Sequence, residues 1–183
     1  MESREQRAAP VGVTIDRASV EEKPVLRNLM ELYQHDHAEW DDADLDEHGL
    51  YGYAYLDHYW TDEGRHPFIV RVDGKLAGFA LIRTLPQAGV NHVAELFIVR
   101  KFRRGGVGRI VTHRIFDMFP GKWEVDQVAG NLPARAFWER TISEYTNGEY
   151  EQTEYVYKGE TRPKQVFSSR SVPAPPTPPV TGR

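Results

Sequence analysis

The chain has 183 residues, 40% hydrophobic and 27% charged, which fits one globular domain with a real core and is too short for two typical ones. Its 23 Lys and Arg against 27 Asp and Glu leave a net charge of −4, so no global pull toward nucleic acid or an anionic membrane exists. The absence of cysteine excludes disulfides, a thiolate nucleophile, a CxxC redox pair and Cys-ligated zinc.

Residues 1–10 (MESREQRAAP) carry charge, lack the apolar core of a secretory signal, and read as a disordered N-terminal tail. A single domain is expected over 11–162. Val11–Ile15 alternates like a short first strand. A helix entered around Glu21–Pro24 follows, with Leu26, Leu29, Met30 and Tyr33 at the spacing of one buried stripe. Pro24 fits if it lies in the first turn, where its missing N–H is no loss. Phe68–Val72 and Leu76–Leu85 are apolar runs joined by Asp73-Gly74, a strong hairpin signal. The longest apolar stretch, Ala77–Ile82, has only about six residues against the roughly 20 that cross a bilayer.

Val93–Val99 reads as a further strand, and Gly106–Phe119 as a helix with Val107, Ile110, Val111, Ile115 and Met118 on one face. Trp123–Val128 is a strand, Pro133–Thr141 a short helix opened by proline, and Tyr150–Lys158 a final strand. Residues 163–183 are assigned to a Pro-rich disordered tail, on the five prolines of 171–183. A meander of antiparallel strands leading into a β-α-β crossover predicts an α/β fold with a mixed sheet, not a doubly wound parallel one. The expected protein is soluble and cytoplasmic, with no membrane partner.

The most informative stretch is Glu95–Arg109, where a strand runs into a loop with Gly105, Gly106 and Gly108 and a helix starts at once. Glycines there let backbone N–H groups turn toward an anion, and the helix N-terminus adds partial positive charge. Arg100, Lys101, Arg103, Arg104 and Arg109 supply cations, so the loop reads as a pyrophosphate cradle. It is not a P-loop, because no Lys-Ser or Lys-Thr follows the glycines. The dinucleotide pattern GxGxxG fits at Gly106 and Gly108, but Val111 stands at the third glycine and a hairpin precedes where that fold would begin.

The pattern Arg103-x-x-Gly106-x-Gly108 after a strand ending in Val99 resembles the acyl-CoA signature of the GNAT N-acetyltransferase superfamily. Asn131-x-x-Ala134-x-x-Phe137-Trp138-Glu139 is similar to that family's second CoA-contacting segment, and the likeness spans about residues 11–158. It implies a mostly antiparallel mixed sheet with flanking helices and a parallel β-α-β CoA-binding core. It further implies acetyl-CoA as co-substrate, bound through the amides of Arg104, Gly105, Gly106, Val107, Gly108 and Arg109, with arginines such as Arg103 near the 3′-phosphate. Phe97, Ile98 and Val99 would offer their main chain to the pantetheine arm, with the Val99 N–H polarising the thioester carbonyl. Asn131, Phe137 and Trp138 would meet the cofactor from the other side.

Acetyl transfer to an amine by direct attack needs no cysteine, but an amine with pKa about 10.4 benefits from a proton acceptor. Glu95, on the same strand face as Phe97 and Val99, is the catalytic candidate; a salt-bridged strand carboxylate is the alternative. Glu124 and Asp126 are second-line candidates, read as solvated. Many members of the family it resembles place a protonating Tyr where this chain has Trp138, whose indole is not a useful acid. A thiol pKa of about 8.5 makes unprotonated departure at pH 7 cost only about 2 kcal/mol. Tyr145, Tyr150, Tyr155 and Tyr157 are possible stand-ins, and Trp138 can equally be plain core.

Seven carboxylates fall within residues 36–47, near Tyr33, Trp40 and further aromatics. Tyr33, Asp36 and Trp40 are therefore candidates for a small, cationic amine acceptor, through ion pairing and cation–π contact; a solvated acidic loop is the alternative. His35 and His37 suggest no metal site. A non-catalytic acyl-CoA-binding module competes with the enzyme. A nucleic-acid module built on the RKFRR patch is opposed by the acidic balance and the glycine pattern. Homodimerisation is compatible with the resemblance.

Overall fold

Alternation and turn chemistry build the sheet hairpin by hairpin. A computed structural model describes residues 12–169; the expected N-terminal tail, Val11 and the segment from 170 onward lie outside the described residues. The chain runs β1 (Val13–Arg17), α1 (Lys23–Asp41), the one-turn α2 (His58–Thr61), β2 (Arg65–Val72), β3 (Lys75–Leu85), β4 (Val90–Ile98), α3 (Val107–Met118), β5 (Lys122–Asp126), α4 (Leu132–Thr146), β6 (Glu151–Tyr157) and β7 (Glu160–Ser168). The strands form one sheet in the order β1-β2-β3-β4-β5-β7-β6. Every neighbouring pair is antiparallel except β4 and β5, which the α3 crossover makes parallel. This is the mixed sheet that the sequence predicts.

Pro24 sits in the first turn of α1, and Asp73 and Gly74 take left-handed φ of 49° and 74°, as a two-residue hairpin turn requires. Leu26, Leu29 and Met30 of α1 bury one face of the sheet together with Tyr59, Ile69, Phe79, Leu81 and Phe97. On the other face α3 and α4 cover Val70, Ile82, Val93, Trp123, Val125 and Phe167. The α3 stripe holds at Val107, Val111 and Ile115, but Met118, the helix's last residue, is 46% exposed. Phe116 fills the core instead, its ring within 4.8 Å of those of Trp123 and Phe167.

One boundary differs from expectation. The sheet continues past 162: β7 runs through Ser168 and inserts between β5 and β6, so residues 163–168 are not tail. Its inward positions are Pro163, Gln165 and Phe167, and proline and glutamine disguise the alternation. Helix α4 also extends beyond Thr141, to Thr146, where Asn147 and Gly148 cap it in left-handed conformations.

The irregularity that matters lies in β4. Leu81 pairs with Glu95 and Ile82 with Val93, leaving Ala94 as an extra, bulged residue. The parallel pairing to β5 covers only Val90–His92 against Lys122–Glu124, so the two strands part where the bulge begins.

Close β3–β4 contact next to this gap rests on Gly78, whose added Cβ would stand 2.0 Å from the Phe97 carbonyl oxygen. Gly78→Ala is expected to cost about 2 kcal/mol by overpacking. Thermal denaturation should show Tm lowered by roughly 4–8 °C; an unchanged Tm would mean that the strands are not in this register.

Candidate active site

The parted strands leave one edge of β4 unpaired. The Val99 N–H donates to the Ala77 carbonyl at 2.8 Å, so alternation points the main-chain groups of Phe97 and Glu95 toward β3 as well. Those of Leu96 and Ile98 face the gap. The expected donor, Val99, is thus already engaged, and the N–H groups free to meet a ligand along this edge belong to Leu96 and Ile98. The side chains of Phe97 and Ile98 are core, on opposite faces of the sheet.

Beyond the strand, a short turn at Arg100–Phe102 leads into Arg104 and Gly106, both left-handed at φ 63° and 81°, and Gly106 caps α3. The first intrahelical bond is Ile110 N–H to Gly106 carbonyl. Among the described residues, none of the amides from Arg104 to Arg109 has an acceptor, so they stand as a set of donors at the positive end of α3. Gly105 has open space where a Cβ would project, whereas Gly108 is held for packing: its Cβ would come 3.2 Å from the Phe137 ring. Val107 is buried in the α3 core.

The arginines are less available than the sequence suggests. The Arg103 Nε donates to the Ile98 carbonyl at 2.6 Å, its Nη2 reaches Asp36 at 2.5 Å, and its guanidinium lies 5.4 Å from the centre of the Phe97 ring. Arg100 pairs with the other Asp36 oxygen at 2.6 Å, and Arg109 with Glu144 at 3.1 Å. Burial opposes the Asp36 charge, yet the two guanidiniums hold its carboxyl below the usual range. Arg104 has no carboxylate partner among the described residues.

Asn131 caps α4, its Oδ1 accepting the Ala134 N–H at 3.0 Å. With Ala134 and Trp138 it lines a recess of about 120 Å³ between the parted strands, alongside Tyr33, His37, Glu95 and Asp126. Trp138 is both core and wall: it is 7% exposed and its ring meets Phe137 edge-on at 5.0 Å.

Glu95 stands in this gap with both oxygens held. Tyr33 donates to Oε2, and Tyr53 donates to Oε1 at 3.0 Å. Burial pushes the Glu95 carboxyl above the ordinary range; the tyrosine hydrogen bonds and the nearby His37 and His92 counteract only part of this. Burial, reinforced by the Glu95 charge, raises Tyr33 well above a normal phenol, so it remains a donor. Asp126 lies across the gap and is not solvated as expected. His92 Nε2 is 2.5 Å from its Oδ1, and the Tyr155 hydroxyl donates to Oδ2 at 2.6 Å. Burial acts against ionisation of Asp126, but these partners outweigh it and hold the carboxyl below its ordinary value. A raised carboxyl is the stronger base, so Glu95 suits proton acceptance and Asp126 serves as a fixed charge. Glu124 pairs with Lys164 at 2.9 Å.

A wider cleft of about 450 Å³ opens in front of Glu95, between α1 and the β6–β7 hairpin. Of the three acceptor candidates, Tyr33 lines it. Asp36 is turned to the arginine loop, and Trp40 packs beside His37 and Gly130. The acidic segment contributes Asp41 to the wall, while Asp46 is spent accepting the His48 and Leu50 amides. His35 faces Tyr51 and His37 faces Asp41. Tyr145 is bound to Asp117, on the α3–α4 side. Tyr53, Lys158 and Arg162 complete the surroundings, with His92 of β4 behind Asp126; no local motif marks them, since loop 42–57 brings in Tyr53 and the β6–β7 hairpin brings in Lys158 and Arg162.

Because folding raises the Glu95 pKa, its contribution to stability is full below the unfolded value near 4.5 and is lost as pH rises through the folded value. Glu95→Gln should therefore gain Tm relative to the parent between pH 5 and pH 8. A difference that shrinks with pH would show that the carboxylate is not buried at a cost.

The profile described as the Acetyltransferase (GNAT) family matches residues 26–142. An acetyltransferase from Thermus thermophilus shares the fold at 15% identity and TM-score 0.67, covering 87% of this chain and 99% of its own. The aminoglycoside acetyltransferase AAC(6')-Ib, solved with coenzyme A, aligns at 16% identity and TM-score 0.61, covering 86% and 95%. Spermidine/spermine N-acetyltransferase SpeG from Vibrio cholerae aligns at 12% and 0.55, covering 86% and 92%. No curated protein sequence matches the chain significantly. With more than half its length matched by the family profile and its sheet order, crossover and parted strands described above, the chain belongs to the GNAT acetyltransferase family.

Proposed function

We propose that this protein transfers an acetyl group from acetyl-CoA to the primary amine of a small acceptor, with Glu95 as proton acceptor. The observation that carries this reading is the gap between β4 and β5. At its loop end stand the amides of residues 104–109, without an acceptor among the described residues and suited to a diphosphate. Along its edge, Leu96 and Ile98 offer main-chain groups to an extended arm and a donor to a thioester carbonyl. Facing it is a carboxyl whose basicity burial has raised.

The amine enters from the wide cleft and loses a proton to Glu95, directly or through one water, as it attacks the thioester carbon. Collapse of the tetrahedral intermediate expels the CoA thiolate. No acid at the sulfur is required, because departure unprotonated costs only about 2 kcal/mol at neutral pH. Trp138 bounds the recess and excludes water.

Purified protein should release free CoA thiol from acetyl-CoA when supplied with a panel of primary amines. Glu95→Gln should lower kcat by about 100-fold or more while leaving CoA affinity unchanged. Tight CoA binding with no thiol release across the panel would instead identify a non-catalytic acyl-CoA-binding module.

A further inference from the structure

The cleft in front of Glu95 has walls of opposite charge. Asp41 on α1 and Glu95 on β4 bring carboxylates to one side and the floor; the β6–β7 hairpin brings Lys158 and Arg162 to the other, where Asp126 of β5 is tied to the hairpin through Tyr155. The hairpin register sets Tyr155 opposite Arg162 and Tyr157 opposite Glu160, which places these four side chains on one face. The Arg162 guanidinium is 4.7 Å from the Tyr157 ring centre, its Nε pairs with Glu160 at 2.9 Å, and it lies beside the Tyr155 hydroxyl, so the arginine is braced on the wall of the cleft. Lys158 lies 5.5 Å from the same ring and has no carboxylate partner among the described residues.

The carboxylates, by contrast, are engaged within the protein. Asp41 faces His37 at 3.2 Å, Asp126 is held by His92 and Tyr155, and Asp36 lies outside the cleft on the arginine loop. An acceptor carrying several positive charges would bring its outer ones against Lys158 and Arg162, where like charges repel. An acceptor whose amine lies at Glu95 and whose other end is an oxyanion meets complementary charge at both ends. We propose that the acceptor is a zwitterion of the amino-acid or short-peptide type, an amine bearing a carboxylate or similar oxyanion that Lys158 and Arg162 receive. This rests on the reading of Glu95 as the place where the amine docks.

The test is calorimetric binding to full-length protein saturated with CoA, which requires no turnover. Glycine, β-alanine, 4-aminobutyrate and glycylglycine are each compared with the corresponding carboxamide, 2-aminoethylphosphonate with ethanolamine, and all with spermidine. At least one oxyanion-bearing amine should bind tenfold or more tighter than its neutral counterpart and than spermidine. The carboxylate and phosphonate arms tell which oxyanion is preferred. Lys158→Gln, which breaks no ion pair among the described residues, should reduce this preference, and adding Arg162→Gln should abolish it, with CoA affinity unchanged. Equal or tighter binding of the carboxamides or spermidine, absence of binding by every oxyanion, or a preference that survives both substitutions would overturn the proposal. Thiol release is followed separately. A preference without turnover leaves the zwitterion site standing and removes the acetyltransferase reading; turnover of spermidine or carboxamides without a preference does the reverse.

Discussion

A single inserted residue, Ala94, sets the geometry on which the site depends. Side chains along a strand alternate with period two, so one extra residue reverses the facing of everything on one side of it. Here the reversal lets Val93 join the α3–α4 core while Glu95, two positions on, faces the tyrosines of α1 and the loop after it. The same bulge ends the pairing of β4 with β5 at His92 and Glu124. A central strand that gives up its ladder leaves polar main-chain groups seeking partners, and buried groups of that kind are costly unless something meets them. In this fold the uncovered edge is also where an extended ligand can lie.

Electrostatics at the loop end follow a division of labour between main chain and side chains. The amides at the start of α3 supply directed donors that have no acceptor among the described residues. The arginines largely build the loop: Arg103 alone ties the Ile98 carbonyl, the Phe97 ring and Asp36 together. Ion pairs with exposed partners contribute only about 0–1 kcal/mol each, so Asp36 matters more for holding the loop against α1 than for stability. At the other end of the gap the two carboxyls diverge because their partners differ. Glu95 receives neutral phenols that cannot offset its burial, whereas Asp126 faces an imidazole and the field of Arg162.

Much of the fold is legible in the sequence. The α1 stripe, the Asp73-Gly74 turn and the crossover between β4 and β5 follow from local spacing and turn chemistry, which tertiary context only reinforces. Strand β7 is not legible, because a proline and a glutamine occupy inward positions that normally carry apolar residues. Gln165 is fully buried and is accommodated by hydrogen bonds to Gln127 and Gln152, an arrangement that no single segment announces. At the site, the run of strand, glycine loop and helix from Glu95 to Arg109 is legible because alternation and glycine spacing mark it locally. Asp36 and the Val99 N–H both depart from expectation: the run of carboxylates assigns one, and the family resemblance the other, outward to ligands, and the structure turns both inward, one to arginines and one to the neighbouring strand. The bulge itself leaves no composition signal, since Ala94 differs from its neighbours only in having no partner across the ladder.

The most direct test is amide-resolved NMR of the labelled protein titrated with CoA. The amides of Gly105, Gly106, Gly108, Leu96 and Ile98 should shift together along the titration, while the Val99 amide stays protected from exchange by its bond to Ala77. Shifts at Val99 with none at the glycines, or binding that leaves both the loop and the β4 edge unperturbed, would contradict the assignment of this edge and loop to the cofactor.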